Sequence, residues 1–148
     1  MNIVKEVATR ATCDRGKTAS IVVKDKRILV TGYVGSPAGL PHCDEVGHEM
    51  HKVTRGDGTE TNHCIRTIHT EQNAIAQAAK TGIALDGSTY YCHMVPCYVC
   101  AKLFVNCGIK KVVAKKDYHA AEETKRIFKE SGIELVILEN EMETYDNM

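Results

Sequence analysis

The sequence predicts a three-layer α/β sandwich, with a mixed sheet of about five strands held between helices. Two observations predict it. Short β-branched runs alternate with stretches of helical period along most of the chain, and the last three helix–strand units follow closely enough for parallel crossovers. At 148 residues the chain fits one domain with a real core, expected over residues 1–138, with the acidic stretch 139–148 as a C-terminal tail.

Taken in order, residues 2–11 place Ile3, Val4, Val7, Ala8 and Ala11 on one helical stripe. Residues 19–33, ASIVVKDKRILVTGY, hold two β-branched runs about a polar Asp25-Lys26 step and read as an antiparallel hairpin. A stretch rich in Gly, Pro, His and charge follows from Gly35 to Asn62; a loop this long inside a compact domain calls for a function. The alanine-rich TEQNAIAQAAK, residues 70–80, closes on Thr81-Gly82 as a helix. After it come a strand in STYYCHM, a helix over 97–107 ended by Gly108, and a strand in IKKVVAKK. An amphipathic helix over 119–131 and a strand in IELVIL complete the pattern, and ENEMETYDNM is either a loose tail or a short docking piece.

A formal net charge of zero with 26% charged residues lacks the basic excess of a nucleic-acid binder, so no nucleic-acid partner is expected. No apolar run is long enough for a membrane span, and Lys5, Glu6 and Arg10 stand where a signal peptide would be apolar. The expected location is cytoplasmic. Seven cysteines in a reducing compartment, an odd count, favour metal ligation or burial over a disulfide framework.

The chemistry gathers in two fragments, IHTEQNAI at 68–75 and VPCYVC at 95–100. Cys97 and Cys100, three apart behind Pro96 at a helix start, project two sulfurs to one side, and the free amides there favour thiolates. His69, at the start of the preceding helix, would complete three ligands and leave the fourth tetrahedral position open, as catalytic zinc requires. Glu71 would be the unligated base, since a backbone turn at the helix junction can aim both residues at one point. Singly, each motif has a plainer reading as a redox dithiol or a chance His-x-Glu. Together they form the H-x-E…P-C-x-x-C signature of zinc deaminases. Cys92 and Cys107, flanked by core residues, read as buried thiols.

From about Ala11 to Leu138 the chain resembles the deoxycytidylate (dCMP) deaminases of the cytidine and deoxycytidylate deaminase superfamily. The likeness runs through VVKDKRILVTGYVGSPAGLPHCDE, HCIRTIHTEQNAI, PCYVCAKLFVNCGIKKVV and ETKRIFKESGIELVIL. It implies a cytidine-deaminase-like fold and zinc-dependent hydrolytic deamination of dCMP to dUMP with release of ammonia, feeding thymidylate synthesis. His69, Cys97 and Cys100 would be the catalytic zinc ligands and Glu71 the proton shuttle; Thr70 stands where the family usually has Ala. Asn73 matches a nucleotide contact of the family. Val34 stands where the family loop has Asn, and can donate no hydrogen bond. For the monophosphate, Arg15, Lys17, Arg66 and Tyr118 are candidate partners, each equally readable as a solvated surface residue.

The resemblance also implies a second, structural Zn²⁺, with Cys13, Cys43 and His63 at the matching places and the fourth donor open between His48, one residue beyond the usual cysteine position, and the nearby Cys64. The plainer reading leaves these as exposed histidines and unligated thiols. Further implications are Mg²⁺ with a regulatory dCTP or dTTP, and a homo-oligomer, commonly a hexamer. Deaminases of tRNA adenosine, of free cytidine nucleosides or of flavin and pterin precursors share the signature, and a non-catalytic zinc-stabilised binding domain is the rival of another class.

Overall fold

A computed structural model describes residues 1–54, 58 and 60–143. Helix α1 (Asn2–Ala8) leads through a short 3-10 turn (Asp14–Gly16) to β1 (Ala19–Lys24) and β2 (Arg27–Tyr33). Helix α2 (Cys43–Val46), β3 (Met50–Thr54) and β4 (Glu60–Cys64) follow. Then come α3 (Thr70–Thr81), β5 (Thr89–Met94), α4 (Tyr98–Cys107), β6 (Lys111–Tyr118), α5 (Glu122–Ser131), β7 (Glu134–Ile137) and β8 (Met142–Glu143).

The main sheet runs β2-β1-β5-β6-β7, with β8 added beside the far end of β6. β1 is antiparallel to β2 and β5, while β5, β6 and β7 are parallel, so the sheet is the mixed one expected. Asp25 and Lys26 turn the first hairpin with φ of 50° and 62°, the positive pair that a two-residue hairpin loop needs.

Alternation along β1 separates two cores. Ala19 and Ile21 face α1 and pack with Val4 and Ala8, whereas Val22 joins the larger core under α3, α4 and α5. There Phe104 is fully buried, with ring centroids 4.4 Å from Tyr90 and 6.4 Å from Phe128. The two helix–strand crossovers from β5 to β7 lie on this one side, as right-handed connections between adjacent parallel strands require.

Two expectations need correction, and a third resolves to one of its two readings. The first helix stops at Ala8 rather than 11, and Ile3 is 52% exposed instead of joining the stripe. The 35–62 stretch contains α2 and the β3–β4 hairpin, a separate two-stranded sheet whose β3 is exposed throughout. With no residue of either strand fully buried, the hairpin has no apolar alternation to reveal it. The start of the tail docks: β8 pairs with Asp117 and Tyr118, and Lys116 Nζ reaches Glu141 at 3.0 Å and Glu143 at 3.2 Å. Residues 55–57 and 59 of the loop, and 144–148 of the tail, lie outside the described residues. No helix among the described residues is long and apolar enough to cross a membrane.

Candidate active site

Two helix starts meet at one cavity. Helix α3 is capped by His69, whose backbone is extended (φ −68°, ψ 152°) and whose N–H donates to Gln72 Oε1 at 2.9 Å. Helix α4 is capped by Cys97 in the same conformation (φ −69°, ψ 161°). A cap residue does not follow the helical rotation of its successors, so His69 and Glu71, two apart, both reach the cavity. Asn73, two further along a regular turn, is carried about 200° round the helix and is not among the lining residues.

Sequence reasoning missed what holds these starts in place. A Cβ on Gly32 of β2 would strike the Thr70 carbonyl and lie 2.9 Å from Ala74 Cβ, so only glycine lets α3 approach this closely. Ser20 Oγ and Thr70 Oγ1 share a buried hydrogen bond of 2.8 Å, which ties the first residue of α3 to β1. Fully buried Thr124 of α5 donates Oγ1 to the Pro96 carbonyl at 2.8 Å, just before Cys97. A glycine among β-branched strand residues was the only legible signal of the three.

The donors converge. His69 Nδ1 lies 3.6 Å from Cys97 Sγ and 3.6 Å from Cys100 Sγ, and the three donor atoms fall within 4.8 Å of one another. Tetrahedral Zn²⁺, with Zn–N of about 2.05 Å and Zn–S of about 2.3 Å, would set its nitrogen and sulfur ligands roughly 3.6 Å apart. The hydrogen bond from Cys100, then the His69 ring, push the Cys97 thiol down to about 4 although burial opposes this; the same bond pushes Cys100 up. Cys97 in turn raises His69 to about 9. The directions favour a thiolate at Cys97 beside a protonated His69 ring, and a dication bound there would displace the protons held by His69 and Cys100.

Glu71 is 6% exposed, and burial pushes its carboxyl above the ordinary carboxylate range, offset in part by the charge on His69. It lines a cavity of about 560 Å³, within the roughly 300–1,000 Å³ typical of ligand pockets. Val34, Arg15 and Tyr118 line the same space, as does Cys92, while Lys17 and Arg66 do not. Arg66 is engaged elsewhere: its Nε donates to the Gly47 carbonyl at 3.1 Å, and Glu49 lies 3.5 Å from its terminal nitrogen. Cys107, the other expected buried thiol, is half-buried on α4.

A second cluster stands at the edge of the cavity. Cys13, Cys43, His48 and Cys64 bring their donor atoms within 4.8 Å of one another. Cys43 Sγ to Cys64 Sγ and Cys13 Sγ to His48 Nδ1 both measure 3.7 Å, near the separations that tetrahedral zinc imposes. Cys13 and Cys43 join the cluster as expected, and so do both candidates for the fourth donor, His48 and Cys64; His63 does not, because neighbours along β4 point to opposite faces. His63 Nε2 instead lies 2.9 Å from Thr61 Oγ1. Burial raises Cys43 to about 12; burial acts on Cys64 too, but backbone hydrogen bonds at Glu49 and Arg66, with those of Cys43 and His48, outweigh it and lower that thiol.

Fold and donor chemistry together define a zinc-binding α/β domain. Residues 1–116 match the family described as the cytidine and deoxycytidylate deaminase zinc-binding region, and the chain belongs to that family. Similar proteins include the ComE operon protein 2 of Bacillus subtilis, 37% identical over 127 residues (86% of this chain and 62% of that protein). The deoxycytidylate deaminase of Mycobacterium phage D29 is 32% identical over 119 residues, 79% of this chain and 91% of that one. A crystal structure of the dCMP deaminase of cyanophage S-TIM5 in complex with dCMP and dUMP is 27% identical with a TM-score of 0.71, covering 96% of this chain and 92% of that one. Against longer relatives the chain is partial: it spans less than two thirds of the Bacillus protein and 41% of each of two yeast deoxycytidylate deaminases.

Proposed function

We propose that this chain deaminates dCMP to dUMP, replacing the 4-amino group of the cytosine ring by oxygen from water and releasing ammonia, a step that feeds thymidylate synthesis. One observation carries the reading: His69, Cys97 and Cys100 converge at zinc-ligand spacing beside a buried carboxyl in a nucleotide-sized cavity. The named relatives that act on dCMP support the substrate.

In this reading His69 Nδ1 and the two sulfurs would hold Zn²⁺, which when bound would lower the pKa of water and so supply a nucleophile near neutral pH. Glu71 does the proton work. Its carboxylate takes one proton from the attacking water and delivers it to ring N3 as C4 is attacked, then takes the second proton from the hydroxyl now on C4 and passes it to the amine, which leaves as ammonia while C4 becomes a carbonyl. A carboxyl raised by burial is suited to both directions, since it gives and takes protons nearer neutrality than an exposed one. Tyr118 is the proposed contact to the nucleotide, and Arg15 the proposed partner of its phosphate.

A second Zn²⁺ is proposed at Cys13, Cys43, His48 and Cys64, closed by four protein donors and therefore structural. Homo-oligomerisation as a hexamer, control by dCTP or dTTP with Mg²⁺, and a cytoplasmic site of action are proposals supported by the family likeness. The test is ammonia release measured separately with dCMP, deoxycytidine, CMP and an adenosine-containing tRNA hairpin. Turnover of dCMP above the others is expected; silence on all four despite bound zinc would favour a binding domain.

A further inference from the structure

The second donor cluster reaches into the cavity through one short turn. Cys13 precedes the Asp14–Gly16 turn and points Sγ at His48 Nδ1, 3.7 Å away. Asp14, the next residue, takes the other ring nitrogen: His48 Nε2 lies 2.9 Å from Asp14 Oδ1. Arg15, the residue after that, lines the cavity, and among the described residues its guanidinium has no hydrogen-bond or ion-pair partner. A donor and a donor's partner thus immediately precede the residue that presents this cation.

We propose that Asp14 is the outer carboxylate of the second metal site, and that this site fixes Arg15 where it receives the phosphate of a nucleoside monophosphate. A ligating histidine commonly gives its remaining N–H to a carboxylate, which fixes the ring's tautomer and orientation and makes the ligating nitrogen more basic. His48 has that geometry, with Nδ1 among the sulfurs and Nε2 on Asp14. An ordinary surface ion pair would need no metal donors around the other nitrogen, and Asp14, 69% exposed, would gain little from one. The metal site also holds a second lining segment: Cys64 ends β4, and Asn62 and His63 before it line the same space. Metal there orders two cavity walls that have no packed core of their own, offsetting the entropy of the long segment between them. Arg15 is the charged product of that order, a group able to make charge-assisted bonds to phosphate.

The phosphate part rests on the proposed dCMP activity; the Asp14 part does not. The experiment uses the full chain loaded with two zinc equivalents and compares Asp14→Ala with Arg15→Gln. Zinc release to a chromophoric chelator is expected to show about 10- to 100-fold weaker binding at one site for Asp14→Ala, and wild-type binding at both for Arg15→Gln. KM for dCMP is expected to rise in both variants, by roughly 10- to 100-fold for Arg15→Gln, with the effect on KM rather than kcat. Excess Zn²⁺ should restore KM for Asp14→Ala and not for Arg15→Gln. Wild-type zinc retention by Asp14→Ala would overturn the role of Asp14. Weakened zinc with unchanged KM would overturn the coupling. If the wild type does not turn over dCMP, the functional reading fails and the coupling with it, while the chelator measurement still decides Asp14.

Discussion

The two donor clusters of this chain share one cavity and are built by opposite means. His69, Cys97 and Cys100 sit on the caps of two helices packed against a sheet, so the fold places them before any ion arrives. Cys13, Cys43, His48 and Cys64 come from the cap of a 3-10 turn, a four-residue helix, a loop and the end of a hairpin whose first strand is exposed, none of which buries enough apolar surface to place itself. The first cluster is open, with three donors and a carboxyl beside them; the second is closed by four. The lesson is that a rigid scaffold can spare a coordination position for chemistry, whereas a segment without a core uses every donor to hold itself together.

Glu71→Gln should break the first side of this comparison most sharply. The amide keeps the shape and cannot move a proton, so turnover of dCMP should fall by at least about 10²–10⁴, or roughly 3–5 kcal/mol of barrier, with zinc content unchanged. Metal analysis beside steady-state kinetics checks this. A variant that lost zinc as well would show that the carboxyl supports the metal site instead of moving protons.

The second side is broken by Cys64→Ala set against His63→Ala. Cys64→Ala should lose one of two zinc equivalents and expose the β3–β4 hairpin to limited proteolysis, while His63→Ala should keep both. If His63→Ala also lost an equivalent, the alternation of β4 would not describe which side chain reaches Cys43.

How much of each cluster was legible follows from the same contrast. The spacing of His69, Glu71, Cys97 and Cys100 was enough, because a helix cap converts residue spacing into direction with little freedom left. The hairpin was hidden, since an exposed strand paired with a half-buried polar one carries no hydrophobic period, and choosing between His63 and Cys64 needed a strand register that only the structure supplies. Asp14 and Ser20 were silent for another reason: their roles come from partners 34 and 50 residues away, His48 and Thr70, and no local pattern encodes such pairs.

A smaller effect is expected where the scaffold touches the first cluster. Gly32→Ala puts a methyl group against the Thr70 carbonyl and Ala74 Cβ, and over-packing of this kind costs about 1–3 kcal/mol. Thermal unfolding should show the loss, and kcat should fall with it, because the displaced element is the start of α3. Loss of stability at unchanged kcat would mean that β2 yields instead of the helix.

The smallest effect tests whether Thr70 is a support or an ornament. Its Oγ1 meets Ser20 Oγ at 2.8 Å, with Ser20 fully buried and Thr70 6% exposed, one residue before Glu71. Thr70→Ala removes one partner and strands the serine hydroxyl in the core, an asymmetry that costs about 1–3 kcal/mol. Ser20→Ala/Thr70→Ala removes both groups together, and an apolar pair of that kind can be nearly neutral. The double variant should therefore be more stable than Thr70→Ala alone, with a coupling of roughly 1 kcal/mol from the four unfolding curves. Additive losses would show that water reaches the stranded hydroxyl, and that the tight seating of α3 depends on Gly32 alone.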